Sequence, residues 1–373
     1  MKSLILHYTY ICTSQFGLDF WKVILSRCLL LACAMSIQLS SSALLCAQDL
    51  QSDSSQVAQT EKSLSQRKMI IVTGAPGEEG YISSFRSWSE RWLASCQESD
   101  VSCEWIDGTQ TQNDAISTAS SSDKKRFLEL VAAAGDSELW IVMIGHGTFD
   151  GKVAKFNLRG EDVSANELAA ALSTGKGLQV VIHCFSCSGA FLPLLSRPGR
   201  IVITATKSGA EMNYSRFGDY LSSAMIDPTA DLDHDQTISI LEAFLMGAKK
   251  TDQFYQAEKR LATEHPLLED GGDGKGVAAS FFRGIRLDAQ AAQGATIDGD
   301  LAMRIPLKPS NKDLWLNESQ RQKRNELELQ LRTLRLNKKS MAIDEYYRQV
   351  ESIALQLAAI YKEDLKTVPD TAP

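Results

Sequence analysis

In the stretch VVIHCFSCSGAF, Cys184, Ser186, Cys187 and Ser188 place two thiols and two hydroxyls within five positions. Each side chain becomes a nucleophile if a base can take its proton. A candidate base stands earlier in the chain, where WIVMIGHG brings His146 between two glycines. Glycines on either side of a histidine let the backbone approach a ligand closely and leave amide N–H groups exposed, which marks His146 as a candidate functional residue. Other readings of the thiols stand beside this one. Cys184 and Cys187 form a C-x-x-C, which could be a redox pair, could bind zinc with His183 or His146, or could be buried packing.

A second group with chemical potential lies at DLDHDQTISILE, residues 231–242. Asp231, Asp233 and Asp235 fall at positions 1, 3 and 5 of a calcium loop, Thr237 at 7, Ser239 at 9 and Glu242 at 12. Hard oxygen donors at this spacing wrap one calcium ion, with a backbone carbonyl at position 7 and a bidentate carboxylate at 12. Ile238 at position 8 suits the short β contact such loops make. Gln236 departs from the pattern, since position 6 turns sharply with positive φ and favours glycine. Pro228 just before the loop argues against a helix running directly into it, whereas ISILEAFLMGAKKTDQFYQAE reads as the exiting helix. A lone loop of this kind suits a structural ion better than a sensor.

These residues need a scaffold, and the sequence supplies one by alternation. KMIIVT, SCEWID, ELWIVMI, LQVVIHCF and RIVITAT are short apolar runs rich in β-branched residues. Helical patterns separate the first four: SFRSWSERWLASC carries Phe85, Trp88, Trp92 and Leu93 at helical spacing, SDKKRFLELVAAAG starts at Asp123, and SANELAAALSTG is capped by Ser164 or Asn166. Strand and helix in regular alternation predict an α/β fold, a mainly parallel sheet with helices on both faces. KVAKFNLRGEDVS reads as a hairpin around Arg159-Gly160 appended to that sheet. Ligands bind such sheets at the carboxyl ends of the strands, where both His146 and the 184–188 cluster fall.

At this point the sequence resembles a known family. A strand ending in GHG, a hairpin, a helix, a strand ending in a Cys-containing segment followed by SG, and then ITATKSGAEMN are similar, in order, to the legumain-type cysteine peptidases. These share the caspase-hemoglobinase fold with caspases and gingipains, and the likeness covers roughly residues 68–225. The resemblance implies a peptide hydrolase that works through an acyl-enzyme, with His146 as general acid/base and the Gly147 amide as an oxyanion donor. It also implies a substrate-binding arginine after the first strand, for which Arg86 is the candidate, and a groove wall at TKSGAEMN, which includes Ser208. The family's nucleophile stands two residues before SG, and here that residue is Ser186 rather than a cysteine.

Strand geometry weighs the substitutes. Residues two apart share a face but sit about 6.6 Å apart along the strand, so Cys184 points with Ser186 from one step deeper. Cys187 has the right depth but turns to the other face unless the strand ends before it. A serine hydroxyl needs a better-oriented base than a thiol of pKa about 8.5. The alternative to a working peptidase is therefore a catalytically inactive relative that binds a peptide or protein.

The flanks complete the organisation. Lys22 and Arg27 precede CLLLACAMSIQLSSSALLCA, which reads as a signal peptide over residues 1–47 cleaved near Ala47, so a periplasmic or extracellular location is expected. Ser- and Gln-rich residues 48–67 read as a disordered linker, residues 68–300 as the main domain, and residues 310–365 as a C-terminal helical hairpin that could engage a partner. Its stripes are Leu327, Leu331 and Leu334 on one helix, and Ile343, Tyr347, Val350, Leu357 and Ile360 on the other. No membrane span is expected after signal removal. The chain has 39 Lys+Arg and 46 Asp+Glu, a net charge of −7; without the leader's Lys2, Lys22, Arg27 and Asp19 the counts are 36 and 45, or −9. Such a surface disfavours nucleic acid. Four of eight cysteines, Cys12, Cys28, Cys33 and Cys46, lie in the leader. Cys96 and Cys103 either pair as a disulfide or remain two small buried thiols.

Overall fold

The computed structural model describes residues 67–99, 101–109, 122–287, 298–306, 316 and 318–364. The expected signal peptide and nearly all of the expected linker lie outside these residues.

The sequence folds in the order β1 (Lys68–Thr73), α1 (Glu79–Glu98), β2 (Ser102–Asp107), α2 (Asp123–Ala133) and β3 (Leu139–Ile144). Next come β4 (Gly147–Phe149), β5 (Ala154–Phe156), β6 (Val163–Ser164), α3 (Ala165–Leu172), β7 (Gln179–Cys184), α4 (Leu192–Leu195) and β8 (Arg200–Thr204). The remainder is α5 (Phe217–Ala224), α6 (Ile240–Ala257), β9 (Leu267–Glu269), β10 (Val277–Ala278), β11 (Phe282–Arg283), β12 (Arg286–Leu287), α7 (Glu318–Leu336) and α8 (Ile343–Asp364).

The main sheet has seven strands in the order β10-β9-β8-β7-β3-β1-β2. The five from β8 to β2 are parallel, and β9 and β10 add an antiparallel edge. Because a parallel strand lies between two helical layers, β3 and β7 are buried at every position, which is why they read as unbroken apolar runs. Phe85, Trp88 and Trp92 of α1, Phe217 and Leu221 of α5, and Ile240, Leu241 and Phe244 of α6 cover one face. Phe127 and Val131 of α2, Leu168 and Leu172 of α3, and Leu192 and Leu195 of α4 cover the other. This is the α/β architecture with a mainly parallel sheet that the alternation predicted.

Local chemistry fixes the element ends. Ser164, not Asn166, caps α3 in a reciprocal box with Glu167. Lys124 then binds Glu167 at 2.7 Å and, with the Ser164 amide, holds its carboxyl down at about 2. The hairpin around Arg159-Gly160 is present as β5 and β6, and β4 extends it into a small three-stranded sheet.

α7 and α8 form the expected helical hairpin with its own apolar seam, but the stripe on α8 is rotated from the expected one. Tyr346, Ile353 and Ile360, flanked by Val350 and Leu357, face Leu327 and Leu334, while Ile343 and Tyr347 are 62% and 56% exposed. A single helix with two adjacent apolar stripes leaves the choice of inward face to packing. Cys96 and Cys103 are free thiols in this structure. Cys96 donates its S–H to Met69 Sδ at 3.2 Å, and the neighbouring Cys103 together with burial raises the Cys96 pKa, while the neighbouring Cys96 lowers that of Cys103. Among the described residues, no helix is long and apolar enough to cross a membrane.

Candidate functional site

β3 and β7 are neighbours in register, Ile144 opposite Cys184, so the segments leaving their carboxyl ends meet. The meeting point is close: a Cβ on Gly147 would lie 2.3 Å from the Ser186 carbonyl oxygen, so only glycine permits this approach. Ser186 is buried, and among the described residues its hydroxyl is closed onto Gly147 alone, accepting from the Gly147 N–H at 3.2 Å and donating to the Gly147 carbonyl at 3.1 Å. The amide expected to serve an oxyanion is thereby occupied by the hydroxyl expected to attack.

His146 leans the other way. Its ring lies edge-on to Tyr81 and Phe85, at 4.9 and 5.2 Å between centroids, with Tyr214 at 6.4 Å. Nε2 is 3.1 Å from the Pro76 carbonyl, and because a carbonyl only accepts, Nε2 must carry the proton there. Burial lowers its pKa, against the opposing Pro76 bond and the charge of Glu78, so the ring is neutral with its lone pair on Nδ1. The aromatic wall holds Tyr81 stacked on Tyr214 at 4.8 Å, and burial pushes the Tyr214 hydroxyl up to about 12. Among the described residues no hydrogen bond joins the His146 ring to Ser186 or Cys187.

β7 ends at Cys184, so the strand stops before Cys187, which takes a left-handed conformation with φ 61°. Cys187 is buried yet belongs to neither sheet-face cluster, and desolvation raises its thiol pKa. Cys184 packs into the α1 face, where burial likewise raises its pKa. The Ser188-Gly189 pair holds the turn to the neighbouring strand end. Ser188 Oγ accepts from the Ala205 and Thr206 amides at 3.0 and 3.2 Å, and Gly189 N–H donates to Thr206 Oγ1 at 2.9 Å.

Other expected residues are brought near or held elsewhere. Ser208 sits against Gly189, whose added Cβ would meet the Ser208 amide at 2.3 Å, so the TKSGAEMN segment does border the site. Arg86 pairs with Asp107 at the end of β2, at 3.2 Å, and with Thr109 at 3.2 Å. β2 lies two strands from β3, about 10 Å away across the sheet. Residues that sequence reasoning did not find include Tyr81, Tyr214 and Glu211. The Glu211 carbonyl accepts the Cys187 amide at 2.9 Å, and its carboxylate binds His265 Nδ1 at 2.5 Å. Nothing in EMNYS flags the roles of Glu211 and Tyr214, since they depend on the segment between β8 and α5 folding back over the strand ends, and Tyr81 stands in the first turn of α1.

The acidic loop is compact. Carboxylate oxygens of Asp231, Asp233 and Asp235 lie within 4.8 Å of one another, the size of a shared cation site. Burial, with the charges of Asp235, Glu242 and Asp231, raises Asp233 to about 6, a repulsion that a cation would relieve. Gln236 has φ 75°, the left-handed turn expected at position 6, and His234 has φ 60°. No full helix runs into the loop, which is preceded by a short turn at Pro228–Ala230 after α5 ends at Ala224. Glu242 is placed differently from the three aspartates: it caps α6 with Ser239 and accepts the Leu232 and Asp233 amides at 2.7 and 3.2 Å. The short β contact is made by Ser239 with Pro306, one residue beyond Ile238.

No protein-family model and no curated protein matches the sequence. Among solved structures, the Drosophila initiator caspase Dronc is similar at 12% identity and TM-score 0.36, over 58% of this chain and 84% of that one. Caspase-1 from Spodoptera frugiperda is similar at 10% identity and TM-score 0.35, over 55% and 86%.

Proposed function

We propose that this chain is an exported, calcium-holding member of the caspase-hemoglobinase fold, related to legumain-type peptidases, whose site binds a peptide or protein segment without cleaving it. The observation that carries this reading is the Ser186–Gly147 closure, which uses up the nucleophile position and the oxyanion amide on each other. A hydroxyl that donates to a backbone carbonyl is not poised to give its proton to an imidazole, and the His146 Nε2 proton is given to Pro76. The test is turnover of a pooled fluorogenic peptide library by the purified protein beside His146→Ala and Cys187→Ala. Equal background in all three is expected; turnover lost on changing His146 would overturn the proposal.

A second reading has one specific observation in its favour. Cys187 holds a left-handed backbone at the end of a strand, buried outside both apolar clusters, and such strain concentrates at functional sites. In that case the protein is a cysteine-type peptidase, and Cys187→Ala abolishes turnover while Ser186→Ala spares it.

For the acidic loop we propose a structural calcium ion, held by Asp231, Asp233 and Asp235 with the Thr237 carbonyl, Ser239 and Glu242 completing the donor set. The close carboxylates and the left-handed Gln236 support it. Isothermal titration with calcium should give one site that Asp231→Ala removes; binding unchanged in that variant would sink the proposal.

A further inference from the structure

Helix α8 carries a second apolar stripe beside the one that α7 covers. Ile343, Tyr347, Ala354, Ala358 and Tyr361 recur at spacings of 4, 7, 4 and 3, and they lie about 60–120° around the helix from the buried Tyr346. All five are exposed. The opposite flank at the same angular distance is polar: Glu345, Gln349, Ser352 and Gln356. A helix that faced only its hairpin partner would have polar residues on both flanks. α7 shows that ordinary arrangement, with Glu328 and Arg335 on one side of its Leu327–Leu334 seam and Glu326, Gln330 and Thr333 on the other.

We infer that α8 is a two-fold self-association surface on which a second copy of this chain lays its own α8 antiparallel. Three features favour a copy of the same helix over another occupant. The stripe is self-complementary in size about an axis near Ser352, setting Tyr347 against the second copy's Ala358 and Ile343 against its Tyr361. Small Ala354 lies next to that axis and permits close approach of the two helices. The same register brings position 344, an aspartate, within one residue of position 362, a lysine, of the second copy, and the two-fold repeats the pairing at the other end. Lys338, over the Tyr346 and Tyr347 rings at 4.9 and 5.6 Å, sits at the hairpin turn and fixes where the seam begins.

Sedimentation equilibrium of the purified protein tests this. A concentration-dependent dimer is expected, lost in Tyr347→Glu and retained in Ser352→Glu on the polar flank, with unchanged far-UV circular dichroism in both. Asp344→Lys and Lys362→Asp should each weaken the dimer roughly tenfold, because the two-fold doubles each change, and the double variant should restore it. A wild-type protein that stays monomeric, or a dimer indifferent to Tyr347→Glu, overturns the inference. Failure of the double variant to restore the dimer overturns the antiparallel register.

Discussion

Replacing His183 with leucine should make the protein less sensitive to mild acid. The His183 side chain is fully buried on β7, packed at 5.0 Å against both Phe185 and Phe191, and neither ring nitrogen has a hydrogen-bond partner among the described residues. Desolvation alone lowers its pKa from the ordinary 6.5 to about 3. The folded state therefore binds fewer protons than the unfolded chain between these values. Stability from this group is complete above pH 6.5 and falls as the pH drops towards 3. The window is worth about 5 kcal/mol at 1.36 kcal/mol per unit, and by pH 5 about 2 kcal/mol of it is already lost.

Other groups work in the opposite sense. Asp270 at about 6 and Asp298 at about 7, both raised first by burial, add stability as the pH falls and lose it as the pH rises through those values. The wild-type profile is thus a composite, but these carboxylates are common to both proteins and cancel in the difference. The assay is urea unfolding followed by tryptophan fluorescence at pH 7.5 and 5.0. His183→Leu should gain about 2 kcal/mol on the wild type between the two conditions, over whatever offset exists at pH 7.5. A constant gap at both values would refute the reasoning, because the imidazole would then not be held neutral by burial.

Ser186→Ala should destabilise by about 2 kcal/mol in the same assay, since it leaves the buried Gly147 amide and carbonyl without their partner. Gly189→Ala should cost about 3 kcal/mol, because the new methyl meets the Lys207–Ser208 backbone at 2.3–2.4 Å, and backbone cannot rotate away. Gln236→Gly should stabilise by about 0.5 kcal/mol. It relieves a left-handed residue worth about 1–2 kcal/mol, offset by the freedom glycine adds to the unfolded chain, and calcium titration should show equal or tighter binding.

The parallel sheet was legible because buried strands and crossover helices leave strong, local signals: a five- or six-residue β-branched run, then apolar residues at helical spacing. The edge strands β9 and β10 were not legible, since two or three residues beside a glycine-rich turn carry no period. The site was legible at the level of chain position. Parallel pairing forces the ends of β3 and β7 together, so His146-Gly147 and residues 184–188 had to be neighbours. What the sequence could not supply was rotamer and hydrogen-bond choice: Ser186 turns to Gly147, and His146 to Pro76. Arg86 is instructive in the same way, because its carboxylate partner is Asp107, at the far end of the strand that follows its helix, and no local spacing signals that pairing. Ile343 and Tyr347 look like seam residues in the sequence because periodicity identifies apolar stripes without saying which of two will be covered.

The acidic loop differs from a switch in how it is tied down. Its exiting helix, α6, is capped at Ser239, and its first turn is joined to the segment 298–306 by the Ser239–Pro306 pairing and the Ile240 N–H to Ile305 carbonyl bond at 3.0 Å. That segment is itself clasped to the end of β9: Asp298 accepts the Asp270 and Gly271 amides, while Asp270 accepts those of Gly299, Leu301 and Ala302. Arg67, immediately before β1, reaches the Pro306 carbonyl at 3.0 Å. A sensor loop must swing a helix to report occupancy. Here the helix that would swing is packed under the sheet by Ile240, Leu241 and Phe244, and a cation could change the strength of the loop much more readily than its position. Calcium bound at Asp231, Asp233 and Asp235 would therefore raise the unfolding temperature without opening a new surface, which is the behaviour of a structural ion.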